Sequence, residues 1–224
     1  MIERDLDHHV NGCGAAHRRL VGHLEALADS GGLNDAVALQ PCRLPGWSVG
    51  HLLTHLARNA DSHTRVIDGA LRGEVTDQYE GGAAGRSAEI DAGAARGAQV
   101  LVDDVRSSIV HLEAAWARAA AGGWQGEWRS PGAGQRPLFE LAFRRWREVE
   151  VHHADLGLAG FDLDDWSSRY VTEELRIRTM EWTSRQPMGL ATLPEAALRL
   201  SPPVRLAWLL GRAVPDGLEP VQFA

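Results

Sequence analysis

The chain has 224 residues, of which 44% are hydrophobic, 24% charged and 6% aromatic, and this excludes disorder as its main state. A protein of this mass buries roughly 70% of its unfolded-chain surface, enough for one large core with a small appendage. Lys and Arg total 23 against 30 Asp and Glu, and a net charge of -7 with no basic block argues against nucleic acid as a partner.

Leu6, Val10, Leu20, Leu24 and Leu27 recur at helical spacing, with Gly31 and Gly32 closing a first long helix. After the loop QPCRLPGW, Ser48 is suited to cap a second helix, whose stripe of Val49, Leu52, Leu53, Leu56 and Ala60 runs toward Leu71. Residues 73–85 read as a loop. A third helix is expected over about 88–120, through Ile90, Leu101, Val105, Ile109, Leu112 and Trp116, with Gly97 interrupting but not ending it. The glycines and prolines of GGWQGEWRSPGAGQRP punctuate a Trp124 to Trp128 run that suits a hairpin. From Pro137 a fourth helix runs through LFELAFRRWREVEVHHADLG to Gly157 or Gly160.

Four long helices with short connections predict a mainly α chain, with an antiparallel four-helix bundle over residues 1–160. Residues 161–224 form a short C-terminal extension, α/β or α, with a helix over about 165–185 and a Pro-rich tail containing LSPPVRLAWLLGRAV.

Cys13 and Cys42 stand far apart with no CxxC spacing, so neither a disulfide framework nor a cysteine zinc site is expected. The segment MIERDLDHHVNG is polar where a signal peptide needs an apolar stretch, and no run of about 18 apolar residues occurs. The expectation is a cytoplasmic protein with no membrane partner, monomeric rather than assembled. Ten histidines, several in close pairs, are the place to look for chemistry.

On the fourth helix, Glu148 and His152 lie about 40° apart around the axis and Asp155 about 20° from Glu148, so one face reads carboxylate, imidazole, carboxylate. Glu150 and His153 point elsewhere, which leaves Glu148 and His152 as the candidate ligands. His51 and His55 stand four apart on the second helix, and either completes a three-ligand metal site if the two helices are neighbours. The competing reading is a pair of solvated polar stripes, with Arg144, Arg145 and Arg147 as surface charges that keep the carboxylates ionised.

The segments LPGWSVGHLLTHLARNADS and RRWREVEVHHADLGLAG resemble the two metal-bearing helices of the mycothiol-dependent maleylpyruvate isomerase family. RSAEIDAGA around Arg86 and LAWLLGRAVPDG near the C-terminus are similar to that family in the same order. The resemblance implies a DinB-like four-helix bundle and a Zn²⁺ held by His55, Glu148 and His152, with His51 left to cap the helix. It implies Asn59 and Asp155 as supports for the ligands or the packing, and Arg212 as an arginine needed for activity. Arg86, in a loop over the site, is a second candidate carboxylate clamp. The tail is short and rich in Leu and Pro, so it resembles a reduced form of the family's C-terminal domain.

The implied activity is isomerisation of a maleylpyruvate-type cis-enoyl diacid, with mycothiol as the thiol cosubstrate. The thiolate adds to the double bond, rotation follows, and elimination returns the trans isomer. Small-molecule substrate and low-molecular-weight thiol are then the partners. Two alternatives stand beside it: a mycothiol S-transferase acting on an electrophile, and a non-catalytic bundle with a structural metal.

Overall fold

The computed structural model describes residues 2–122, 124–186 and 192–221, with side chains from residue 5 onward. The chain divides into two compact units, Met1–Gly160 and Phe161–Ala224.

In the first unit the long helices are α1 (Ile2–Asp29), α3 (Val49–Leu71), α5 (Ala98–Ala121) and α6 (Glu140–Asp155), with the short α2 (Asp35–Ala38) and α4 (Gly82–Gly93) between them. Helix α1 packs on α5 and α6, and α3 packs on the same two, which closes a four-helix bundle. Its core follows the apolar stripes: Leu20 and Leu24 on α1, Leu52, Leu53 and Leu56 on α3, Leu101 and Leu112 on α5, and Leu141 and Trp146 on α6 are all fully buried. Helices α1 and α6 approach closely because Gly12 has no side chain; a Cβ there would stand 2.5 Å from the Trp146 ring. Gly157 adopts φ +68, the left-handed conformation that ends α6.

The expected helix over 88–120 is two helices. The first ends at Gly93 and the second starts after Gly97, where Asp35 Oδ1 accepts from Ala98 N at 2.7 Å and holds the start of α5 against α2. The expected loop over 73–85 includes a strand, β1 (Thr76–Asp77), and the first turn of α4. The hairpin lies slightly beyond the Trp124 to Trp128 run, as β2 (Glu127–Ser130) against β3 (Gly134–Pro137), antiparallel with Trp128 opposite Arg136. β1 joins β2 in parallel, giving the order β1-β2-β3 on the side of α3. Trp128 is buried under this hairpin and donates its indole N–H to Pro137 O at 3.2 Å.

The second unit contains α7 (Ser168–Ser184), α8 (Glu195–Leu198) and α9 (Pro202–Leu209), preceded by a 3-10 turn over Leu163–Asp165. Leu193, Ala197, Trp208 and Leu209 form its apolar centre, with Leu175, Trp182, Leu218 and Val221 packed around them. Glu174 is fully buried and accepts from Arg178 Nε at 2.6 Å. Positions 187–191 and 222–224 of the expected C-terminal region lie outside the described residues. No helix is long and apolar enough to cross a membrane among the described residues.

Candidate metal centre

The start of α3 is set by its own sequence. Ser48 is extended, its hydroxyl accepts from His51 N at 3.3 Å, and His51 Nδ1 accepts in return from Ser48 N at 3.2 Å, a reciprocal cap. His51 is thereby occupied at the helix start, and one turn later His55 points inward, only 3% exposed.

The loop before α3 brings the helix to α6. Cys42 N donates to Trp47 O and Val49 N to Gln40 O, while Arg43 N donates to Asp155 O at 2.8 Å at the end of α6. Across that contact His55 Nε2 lies 2.8 Å from Glu148 Oε2, and His152 Nε2 lies 3.4 Å from the same oxygen. One potential ligand atom from each of His55, Glu148 and His152 lies within 4.8 Å of the others; this is the three-residue group the structure assembles among the described residues. The two imidazoles meet edge to face at 5.0 Å.

Electrostatics distinguish the three side chains. Burial holds His55 down to about 4, against the opposing pull of Glu148, so its ring is neutral at physiological pH. Burial pushes the Glu148 carboxyl up, but the hydrogen bonds from His152 and His55 outweigh it and hold the group well below the usual carboxylate range. Burial also opposes charge on His152, yet its bonds to Asp155 and Glu148 lift it to about 9. With the His152 proton displaced, two imidazoles and one carboxylate make a donor set that suits Zn²⁺ better than the harder ions. The fit extends outward on one side, where Asp155 Oδ2, 2.9 Å from His152 Nδ1, fixes that ring.

Arg86 is on α4 rather than in a loop. Its guanidinium Nη2 lies 3.1 Å from His55 Nδ1 and sits 5.9 Å from the Trp47 ring and 5.7 Å from the Tyr79 ring. Asn59 accepts from Arg145 Nη1 at 2.8 Å and donates to Tyr79 Oη at 3.3 Å. Arg212 lies in the second unit, where its Nη1 donates to Leu210 O at 3.1 Å. Glu150 and His153 face α1, the first bonded to Arg19 at 2.6 Å and the second to His23 at 2.7 Å.

The competing reading of Arg145 as a surface charge is overturned. It is fully buried, donating Nε to His17 Nε2 at 3.1 Å and Nη1 to Leu56 O at 2.9 Å and to Asn59. Arg144 and Arg147 do keep partly exposed positions, over Trp128 and Phe143 respectively. Reading α6 as a wheel finds the signal for Arg145, since 145, 148, 152 and 155 share one face. Trp47 and Tyr79 carry no such signal, because they come from segments with no helical period.

The fold that carries these residues is seen elsewhere. Two crystal structures, of a mycothiol-dependent maleylpyruvate isomerase and of a single-histidine mutant of it, match with TM-score 0.77 at 22% and 21% identity, covering 93% of this chain and 90% of theirs. At that identity the likeness is one of fold. A comparison with curated proteins gives no match. The sequence model described as the mycothiol maleylpyruvate isomerase N-terminal domain matches residues 13–157, which takes in α3, α4, α5 and α6 whole, and the chain belongs to that family.

Proposed function

We propose that this chain is a zinc-dependent, mycothiol-using cis–trans isomerase of maleylpyruvate-type diacids. The observation that carries the reading is the convergence of His55, Glu148 and His152 beside an arginine framed by two aromatic rings. A bound Zn²⁺ would supply acidity, since it deprotonates a coordinated thiol that is otherwise mostly protonated at neutral pH.

The chain's own residues do the remaining work. His55, Glu148 and His152 would hold the cation. Asp155 keeps His152 in the orientation that presents Nε2. Arg86 supplies a planar pair of N–H donors to a substrate carboxylate and stabilises the negative charge that develops when the thiolate adds to the double bond. Rotation about the resulting single bond and elimination of the same thiol then give the trans isomer, with the thiol recovered. Arg212 is assigned the second carboxylate on its resemblance alone. Neither cysteine takes part: burial pushes the Cys13 thiol far up, and Cys42, also raised by burial, bonds within its own loop.

Metal analysis followed by assay with and without mycothiol tests the reading. Turnover of maleylpyruvate that requires both the metal and the thiol supports it. Thiol transfer to a generic electrophile, with no turnover of maleylpyruvate, would replace it with the S-transferase. Bound metal with neither activity would leave a structural staple.

A further inference from the structure

The two histidines that face Glu148 are backed in opposite ways. His152 has an acceptor behind it, since its Nδ1 lies 2.9 Å from Asp155 Oδ2. His55 has a donor behind it, since its Nδ1 lies 3.1 Å from Arg86 Nη2. A guanidinium offers only N–H groups, so His55 Nδ1 must be the acceptor of that bond. In a neutral ring the one hydrogen then stands on Nε2, and it donates to Glu148 Oε2 at 2.8 Å. Both hydrogen bonds are satisfied by this tautomer and by no other neutral one.

A histidine that ligates a cation through Nε2 carries its hydrogen on Nδ1 and needs an acceptor there. Asp155 meets that need for His152. Arg86 opposes it for His55, because two N–H groups would then point at each other.

We propose that Arg86 is a positioning residue that locks His55 in the tautomer whose Nε2, the nitrogen facing Glu148, cannot bind metal, and that loading the centre expels the guanidinium from His55. The inference rests on the metal reading of the three ligands given above. Trp47 and Tyr79 make the movement short, because their ring faces keep hold of the cation once the bond to His55 is broken. The lock also explains why an arginine sits where a metal site ordinarily has a carboxylate or carbonyl: it holds His55 and Glu148 together before loading and is free to bind an anion afterward. Metal binding and arginine release are therefore one event, each favouring the other to the same extent.

The test uses the full chain with nitrogen-15-labelled histidine, the His55 signals being assigned by their loss in His55→Gln. Ring-nitrogen shifts should show hydrogen on Nε2 of His55 in the metal-free protein and on Nδ1 after Zn²⁺ is added. Zinc affinity, measured by chelator competition, should rise about tenfold in Arg86→Met and in Arg86→Gln, the scale usual for groups that back a ligand. The gain should persist between about 0.1 and 0.5 M salt, whereas the effect of deleting a charge would shrink as the screening length falls. Hydrogen on Nδ1 of His55 in the metal-free protein overturns the lock, as does a zinc affinity that is unchanged or weaker in both variants, or a gain abolished by salt. Failure of the wild type to take up zinc at all is a different result and removes the metal centre itself.

Discussion

Arg145 on α6 donates Nη1 to the carbonyl oxygen of Leu56 on α3 at 2.9 Å, and Leu56 directly follows His55 in the chain. Arg145 stands one turn before Glu148, so a single buried side chain ties the backbone beside one candidate ligand to the helix carrying the other two. Its Nε bond to His17 and its second Nη1 bond to Asn59 fix the guanidinium plane. Arg145→Lys keeps the charge but loses the fork, leaving buried acceptors without donors. The expected cost is about 2 kcal/mol in urea unfolding together with metal affinity weakened about tenfold. If stability falls while metal affinity stays at the wild-type value, Arg145 supports the core and has no part in spacing the ligands.

Replacing His55, Glu148 or His152 singly by Ala should strip the metal from an otherwise folded protein. The bundle buries complete apolar faces of four helices, which far exceeds what three ligands contribute to holding it together. Chelation should accordingly leave the helical circular dichroism intact at room temperature. Metal content that survives all three substitutions would place the site elsewhere, and loss of helicity on chelation would make the metal a structural element.

Asp155 deserves a separate variant because its role differs from that of the ligands. It is 1% exposed and its carboxylate accepts from His152 Nδ1. Asp155→Asn removes the charge and can present either an acceptor or an amide donor to the ring. Metal affinity should fall by about 10- to 100-fold without abolishing binding. An affinity equal to wild type would show that α6 alone is enough to orient His152.

The extent to which the sequence discloses this arrangement follows from period. Leu52, Leu53 and Leu56 mark the buried stripe of α3, and the wheel of α6 sets Glu148 and His152 on one face, because a helix imposes its 3.6-residue repeat on whatever it buries. The choice of His55 over His51 needs more than spacing: both fit four-residue geometry, and only the reciprocal cap with Ser48 shows why His51 is engaged elsewhere. Gly97 signals an interruption locally, but the start of a separate α5 there is supported by Asp35, 63 residues away, accepting from Ala98 N. The burial of Arg145 is hidden in the sequence because charge predicts exposure, and the acceptors that compensate its burial come from α1 and α3.

Acid should destabilise the first unit through its buried neutral histidines. Burial, together with the Arg145 cation and against the pull of Glu113, holds His17 down to about 4, while the unfolded chain protonates it near its ordinary 6.5. Between those values the unfolded state binds more protons than the folded one, so stability is lost as pH falls through that window and is restored as it rises. The contribution of His17 between pH 7 and 5 is about 2 kcal/mol at the usual 1.36 kcal/mol per unit of pKa shift. Burial and Arg145 hold His63 down to about 3, which adds in the same direction. Urea midpoints at the two pH values check this: His17→Gln should flatten the dependence, and an unchanged slope would mean that His17 is not kept neutral by the fold.

Isomerase and general transferase part at Arg212. The residue is in the second unit and not among the three metal ligands, so zinc content should be the same in Arg212→Lys and wild type. Lysine preserves the charge and so limits long-range electrostatic change, while a planar two-donor grip on a carboxylate is lost. Turnover of maleylpyruvate should then fall by at least about an order of magnitude, with kcat reduced along with kcat/KM if the grip tightens as negative charge develops on addition of the thiolate. Transfer of the thiol to an uncharged electrophile should change little, since that substrate offers nothing for the fork to hold. Maleylpyruvate turnover indifferent to the substitution would remove Arg212 from carboxylate binding and leave Arg86, already within reach of His55, as the arginine through which the diacid is recognised.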